Sequence, residues 1–143
     1  ERNFATKEYQ ERLLERNVRG FLKDAHLQER FHEHQIGNEE YNARFPFVEL
    51  MDDMPVKAIK PLRLDHAQPA QIIDHGGQWR VRIEALAKRN LLPPKVMFAV
   101  NGQQVGDSSR ARAQREVVAS LLDLGVRVHA VDDREAVIDF ARD

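Results

Sequence analysis

"KVMFAVNGQQVGDSSRARAQREVVASLLDLGVRVHAVDDREAVIDF", Lys95 to Phe140, is the stretch that decides the fold. It opens with a short apolar run, Lys95–Val100, directly after Pro93-Pro94, which is how a buried parallel strand reads. A polar, glycine-containing loop follows. Ser108 or Ser109 is placed to cap a helix. Ala113, Val117, Val118, Leu121 and Leu122 then recur at helical spacing, and Gly125 stands where a helix terminates. "VRVHAV" at 126–131 alternates apolar and polar residues, as a half-exposed edge strand does. Asp132 or Asp133 caps a last helix whose inner face carries Val137, Phe140 and Ala141. Strand, helix, strand, helix with a right-handed crossover makes the two strands parallel.

Working outward, the expected fold class is α/β. A small, Rossmann-like βαβα half with a short parallel sheet occupies residues 69–143. A long N-terminal helix (1–35) and a proline-punctuated irregular arm (36–68) precede it. In the helix, Leu14, Val18, Phe21, Leu22 and Ala25 form one apolar stripe, with Glu11 and Glu15 assigned to the opposite face. Gly20 is a candidate bend and Gly37 a candidate stop. In the arm, Pro46, Pro55 and Pro61 exclude a long helix. They leave room for short strands at 45–50 and 56–60, with Pro61 arguing against a central position. Residues 69–90 read as helix, with a hairpin turning at His75-Gly76-Gly77 as the rival.

Composition limits the function classes. The chain has 143 residues, 42% hydrophobic and 31% charged, with a formal net charge of −1. Acidic and basic side chains balance in each third, so the bulk charge of a nucleic-acid binder is missing. No apolar run approaches the roughly 20 residues that span a bilayer. The absence of cysteine removes disulfides and thiolate chemistry and suggests a reducing, cytoplasmic setting. The chain lacks a starting Met, which suggests a fragment or a processed product. No Gly-Lys-Ser/Thr loop, dinucleotide fingerprint or Gly-x-Ser-x-Gly elbow is present, and no cofactor is implied.

Two Asp-His pairs, Asp65-His66 and Asp74-His75, invite a metal-dependent hydrolase. They lie nine residues apart, which is not the spacing of ligands on one helix face. Helix punctuation explains them more simply: Asp65 as a cap, Pro69 in the first turn, Gly76 as the stop. "HEH" at His32–His34 falls at the end of the expected helix and is read the same way.

The better candidate site is the loop after the first strand. Ligands of open α/β sheets bind beyond the carboxyl ends of strands, and a helix N-terminus presents free N–H groups to an anion. Asn101, Gly102, Gly106, Ser108, Ser109, Arg110 and Arg112 are therefore the candidate phosphate-binding residues, with Gln103, Gln104 and Arg115 nearby. Residues 95–131 resemble the second half of a Toprim fold, in which a strand ends in a magnesium-holding acid pair; here the strand ends Val100-Asn101-Gly102. They also resemble the back half of PD-(D/E)XK nucleases, whose strand carries acids and a lysine before an Arg-rich helix; "KVMFAVNGQQ" has no acid. Either resemblance implies a degenerate domain that handles nucleotides or nucleic acid.

The leading expectation is a non-catalytic interaction or assembly domain. It would dock on a protein partner, or on the rest of a parent chain, through Leu14, Val18, Phe21, Phe45, Phe47 and Met51. Phosphate binding at 101–112 is the alternative, and metal-dependent hydrolysis the second.

Overall fold

The computed structural model describes residues 3–102 and 105–143, with side chains from Gln10 onward. In chain order the elements are α1 (Asn3–Asp24), a 3-10 turn (Gln28–Arg30), β1 (His32–Gly37), β2 (Asn42–Met51), β3 (Met54–Leu62), α2 (Pro69–Lys88), β4 (Lys95–Val100), α3 (Ser109–Asp123), β5 (Arg127–Ala130) and α4 (Arg134–Arg142). The strands form one five-stranded sheet in the order β1-β2-β3-β4-β5. β1, β2 and β3 are an antiparallel meander. β3, β4 and β5 are parallel. The fold is mixed α/β, and β4-α3-β5-α4 is the βαβα unit expected from 95–140. Its punctuation is as read: Ser108 Oγ accepts from the Ala111 N–H at 3.0 Å, Asp133 Oδ1 from the Ala136 N–H at 3.2 Å, Gly125 follows α3 with φ +86°, and β5 is an edge strand.

The stretch expected to be an irregular arm carries two of the five strands, β2 and β3, over the places left open for short strands but longer and inside the sheet. β2 and β3 join through Asp52-Asp53, both at positive φ (52° and 65°), between paired Met51 and Met54. Two left-handed residues match the right-handed twist of the flanking strands. The prolines sit where a missing N–H is tolerated. Pro46 lies in the bulge between the His34–Phe45 and His32–Val48 pairs. Pro55 borders the register shift between the Glu49–Lys57 and Leu50–Pro55 pairs. Pro61 does lie in the central strand, contrary to expectation, but beyond Phe47–Ile59, the last pair β3 makes with β2, so only its β4 side is laddered there.

Three helix boundaries also differ from the sequence reading. α1 continues through Gly20 and ends at Asp24 rather than near Gly37. His26 (φ 61°) turns the chain out of the helix, and Gly37 (φ 138°) is the last residue of β1, paired with Asn42 of β2. "HEH" is therefore on edge strand β1. α2 is one continuous helix through His75-Gly76-Gly77, which removes both the hairpin and the stop at Gly76. Gln68, not Asp65, is its N-cap, with Pro69 in the first turn as expected.

Each sheet face is covered by two helices. Leu14, Val18 and Leu22 of α1 and Val137 and Phe140 of α4 pack with Phe47, Ile59 and Met97 on one face. Ile72, Trp79, Ile83 and Leu86 of α2 and Val117 and Leu121 of α3 pack with Phe45, Ala58, Leu62 and Phe98 on the other. Fully burying one such side chain contributes about 1.5–3 kcal/mol. Gly76 explains how closely α2 approaches α3: a Cβ there would overlap both methyls of Val117.

Candidate functional site

A cavity of about 660 Å³ opens between α1, β2–β3 and α2. Its lining includes Glu11, Arg44, Lys60, Arg63, His66 and His75. A second hollow of about 410 Å³ adjoins it and shares Glu11, Arg44, Lys60 and His75. Residue alternation along β3 builds the floor. Ala58 and Leu62 point into the α2–α3 core, so Lys60, between them, points the same way. It is only 5% exposed.

Lys60 is a buried cation without a hydrogen-bond acceptor among the described residues. Its ammonium stands 4.0 Å from Glu11 Oε1 and 5.0 Å from the Trp79 ring centroid. Burial pushes its pKa down, and the Glu11 and Glu15 carboxylates only partly restore it. Glu11 is the hub of the site. It accepts from the Arg63 backbone N–H at 2.6 Å, and its Oε1 lies 3.1 Å from His75 Nε2. Burial pushes the Glu11 carboxyl up. The His75 hydrogen bond, the charges of Lys60 and His75 and the Arg63 N–H outweigh this and hold it below the ordinary carboxylate value.

The histidines of the two Asp-His pairs do converge. The His66 and His75 rings stand 5.2 Å apart at 56°, because the chain folds back between them at the start of α2. His66 is 6% exposed and its Nδ1 is buried without a partner. Burial, then the Arg63 and His75 charges, push its pKa down to about 4, so it is neutral at pH 7. Asp65 pairs with Arg63 Nε at 2.6 Å, while Asp74 lines the cavity. Among the described residues no three His, Asp or Glu side chains are grouped to hold a metal ion.

The 101–112 loop supports this site from behind. Leu64 N–H donates to Asn101 Oδ1 at 2.6 Å, and Gln114 Nε2 donates to Leu64 O at 2.9 Å. Arg110 donates to the His66 and Asp65 carbonyls at 2.9 and 3.1 Å. Arg112 donates to Asp107 O at 2.6 Å and Ser109 Oγ at 3.3 Å, and Arg115 to Gly106 O at 2.8 Å. Gly102 and Gly106 take positive φ (91° and 94°). The loop arginines thus bind backbone carbonyls, and Ser108 serves the cap. Gln103 and Gln104 lie outside the described residues.

Of the candidate partner-contacting residues, Leu14, Val18, Phe45 and Phe47 are buried in this domain's own core, and Phe21 packs partly against it. Met51 is exposed (63%), beside Leu50 (42%) and Met54 (65%) at the β2–β3 turn. The residues that sequence reading missed are Glu11, Arg44, Lys60 and Arg63. Two signals were available. Lys60 alternates with Ala58 and Leu62, which places a lysine on the inward face of a strand. Glu11 and Glu15 precede Leu14 and Val18 at helical spacing, so they extend the apolar stripe rather than oppose it, and Glu15 is 9% exposed. Compared with known proteins, the chain matches no family model, no curated protein and no solved structure.

Proposed function

We propose that the chain is a binding domain for a phosphate-bearing ligand, a nucleotide or a segment of nucleic acid, and that the ligand enters the α1–α2 cavity. The observation that carries this reading is Lys60. Its ammonium faces the cavity with the Glu11 carboxylate 4.0 Å away as its ion-pair partner; burial disfavours the charged form, and an anion arriving in the cavity would favour it. Arg44 and Arg63 line the same space; Arg44 is ion-paired with Glu33 and Glu15 and Arg63 with Asp65, and the guanidinium N–H groups left over would supply charge-assisted hydrogen bonds to phosphate oxygens.

Calorimetric titration with pyrophosphate, a mononucleotide and a short single-stranded oligonucleotide tests the reading. Lys60→Met or Arg63→Gln should weaken binding by about tenfold to a hundredfold, the worth of one hydrogen bond to a charged group. Affinity should fall with salt, and Arg112→Gln should leave it unchanged. If Arg112→Gln abolishes binding while Lys60→Met does not, the ligand sits on the 101–112 loop instead. No binding of any probe sinks both placements.

A second reading, docking on a protein partner or a parent chain, is favoured by Leu50, Met51 and Met54 at one hairpin end. Light scattering across a dilution series tests self-association through it. Association that Met51→Glu with Met54→Glu abolishes would support that reading, and a monomer at every concentration would leave only a different chain as the partner.

A further inference from the structure

We infer that Lys60 is an imine-forming nucleophile toward an aldehyde that carries phosphate. The aldehyde is either a small phosphorylated compound or the opened sugar of a base-less nucleotide in a nucleic-acid strand. This rests on the phosphate reading for the ligand's anionic part and adds a covalent step at the amine.

The same strand holds an internal comparison. Lys57 and Lys60 are buried alike, at 3% and 5% exposure, and an odd separation sends them to opposite faces. Lys57 donates to the Ala141 carbonyl at 3.0 Å and stands 5.7 Å from the Phe140 ring centroid, away from the cavity. Lys60 opens into both hollows and makes no hydrogen bond among the described residues. Burial lowers the pKa of both, so what distinguishes Lys60 is its access to the cavity and its lack of a hydrogen-bond acceptor among the described residues. Imine chemistry also needs a group to carry protons, and Glu11 with His75 stands next to the amine.

The step balances without oxidant or reductant. In its neutral form, which burial favours, the Lys60 amine attacks the carbonyl carbon, a C–N bond forms, and one amine proton passes through the Glu11–His75 pair to the carbonyl oxygen, giving the carbinolamine. The second amine proton passes by the same pair to that hydroxyl, the C–O bond breaks, and water leaves with the carbonyl oxygen, so the neutral imine remains. Arg44 and Arg63 are placed to receive the phosphate.

The experiment is trapping with cyanoborohydride, which reduces an imine to a stable amine, followed by peptide mapping by mass spectrometry. One arm uses pyridoxal phosphate and the other an oligonucleotide with a single base-less site. The wild-type chain is sufficient, so the result does not depend on a variant folding. The expected result is one adduct, on Lys60 ahead of Lys57 and of the exposed Lys23, Lys88 and Lys95, in at least one arm; the arm that reacts at lower concentration identifies the source. Adducts spread over the exposed lysines with Lys60 spared in both arms would overturn the inference. Pyridoxal without phosphate should need about tenfold more reagent, the worth of one charge-assisted contact. Equal trapping of pyridoxal on Lys60 would uphold the nucleophile and overturn the phosphate reading. Calorimetric binding of pyrophosphate with no Lys60 adduct would do the reverse.

Discussion

At the residue scale, two adjacent glycines in α2 have opposite meanings. Gly76 faces Val117 with no room for a Cβ, whereas Gly77 has nothing within 4 Å. Gly76→Ala should therefore destabilise the fold by about 1–3 kcal/mol through overpacking. Gly77→Ala should stabilise it by up to about 1 kcal/mol through helix propensity. Urea denaturation of the two variants checks the contrast, and equal effects would mean that the α2–α3 approach is not as close as described. His66 yields the pH prediction. Its folded pKa, about 4, lies below the ordinary 6.5, so the unfolded chain binds the proton more readily. Stability should rise as pH increases from about 4 to about 6.5, by on the order of 2–3 kcal/mol. Below that window Glu11 acts in the same direction, because its depressed pKa contributes stability that is lost on acidification. His66→Asn should flatten the slope between pH 4 and 6.5 in denaturation measured across pH.

At the scale of elements, turns and caps carry testable energies. Asp52 and Asp53 hold positive φ at the β2–β3 turn, a conformation that Asn-Gly adopts with less strain. Replacing the pair by Asn-Gly should stabilise the chain by about 0.5–1 kcal/mol, read as a raised midpoint in thermal unfolding. Ser108→Ala removes the α3 cap and should cost about 1 kcal/mol. This substitution leaves the cavity lining intact, so ligand affinity should survive it, which separates the cap's role from phosphate binding. Much of this level was legible in the sequence. β4, α3, β5 and α4 were readable because period and punctuation agree there. β2 and β3 were harder, because each proline was weighed as a break in a ladder. A bulge, or the end of pairing with one neighbour, removes that penalty, and neither is visible within one strand's own sequence.

At the scale of the whole molecule, α1 is half of one of the two layers on the sheet. Val18 and Leu22 are at most 1% exposed, and Ile59 and Met97 beneath them are fully buried. A chain lacking residues 1–26 should lose its fixed tertiary packing and aggregate, checked by near-ultraviolet circular dichroism and light scattering. A folded, monomeric truncation would mean that α1 covers something other than this sheet. No helix among the described residues is long and apolar enough to cross a membrane, and the apolar stripe of α1 is accounted for by its own sheet.

Local chemistry determined the part of this protein that local chemistry can determine. Hydrophobic period, a serine and an aspartate cap, and a terminating glycine place the βαβα unit of 95–142 with no knowledge of the rest. The stripe in α1 was likewise evident, because helical spacing is a property of neighbours three and four residues apart. The candidate site was decided by tertiary structure. Glu11, Lys60, His66 and His75 come from a helix, a central strand, a loop and a second helix, and only packing brings them within reach. Lys60 acquires its depressed pKa from burial, which depends on α2 lying across β3. His66 and His75 approach because Pro69 opens a helix that doubles back on the strand before it. Side-chain identity was in the sequence, but desolvation and proximity are properties of the assembled core.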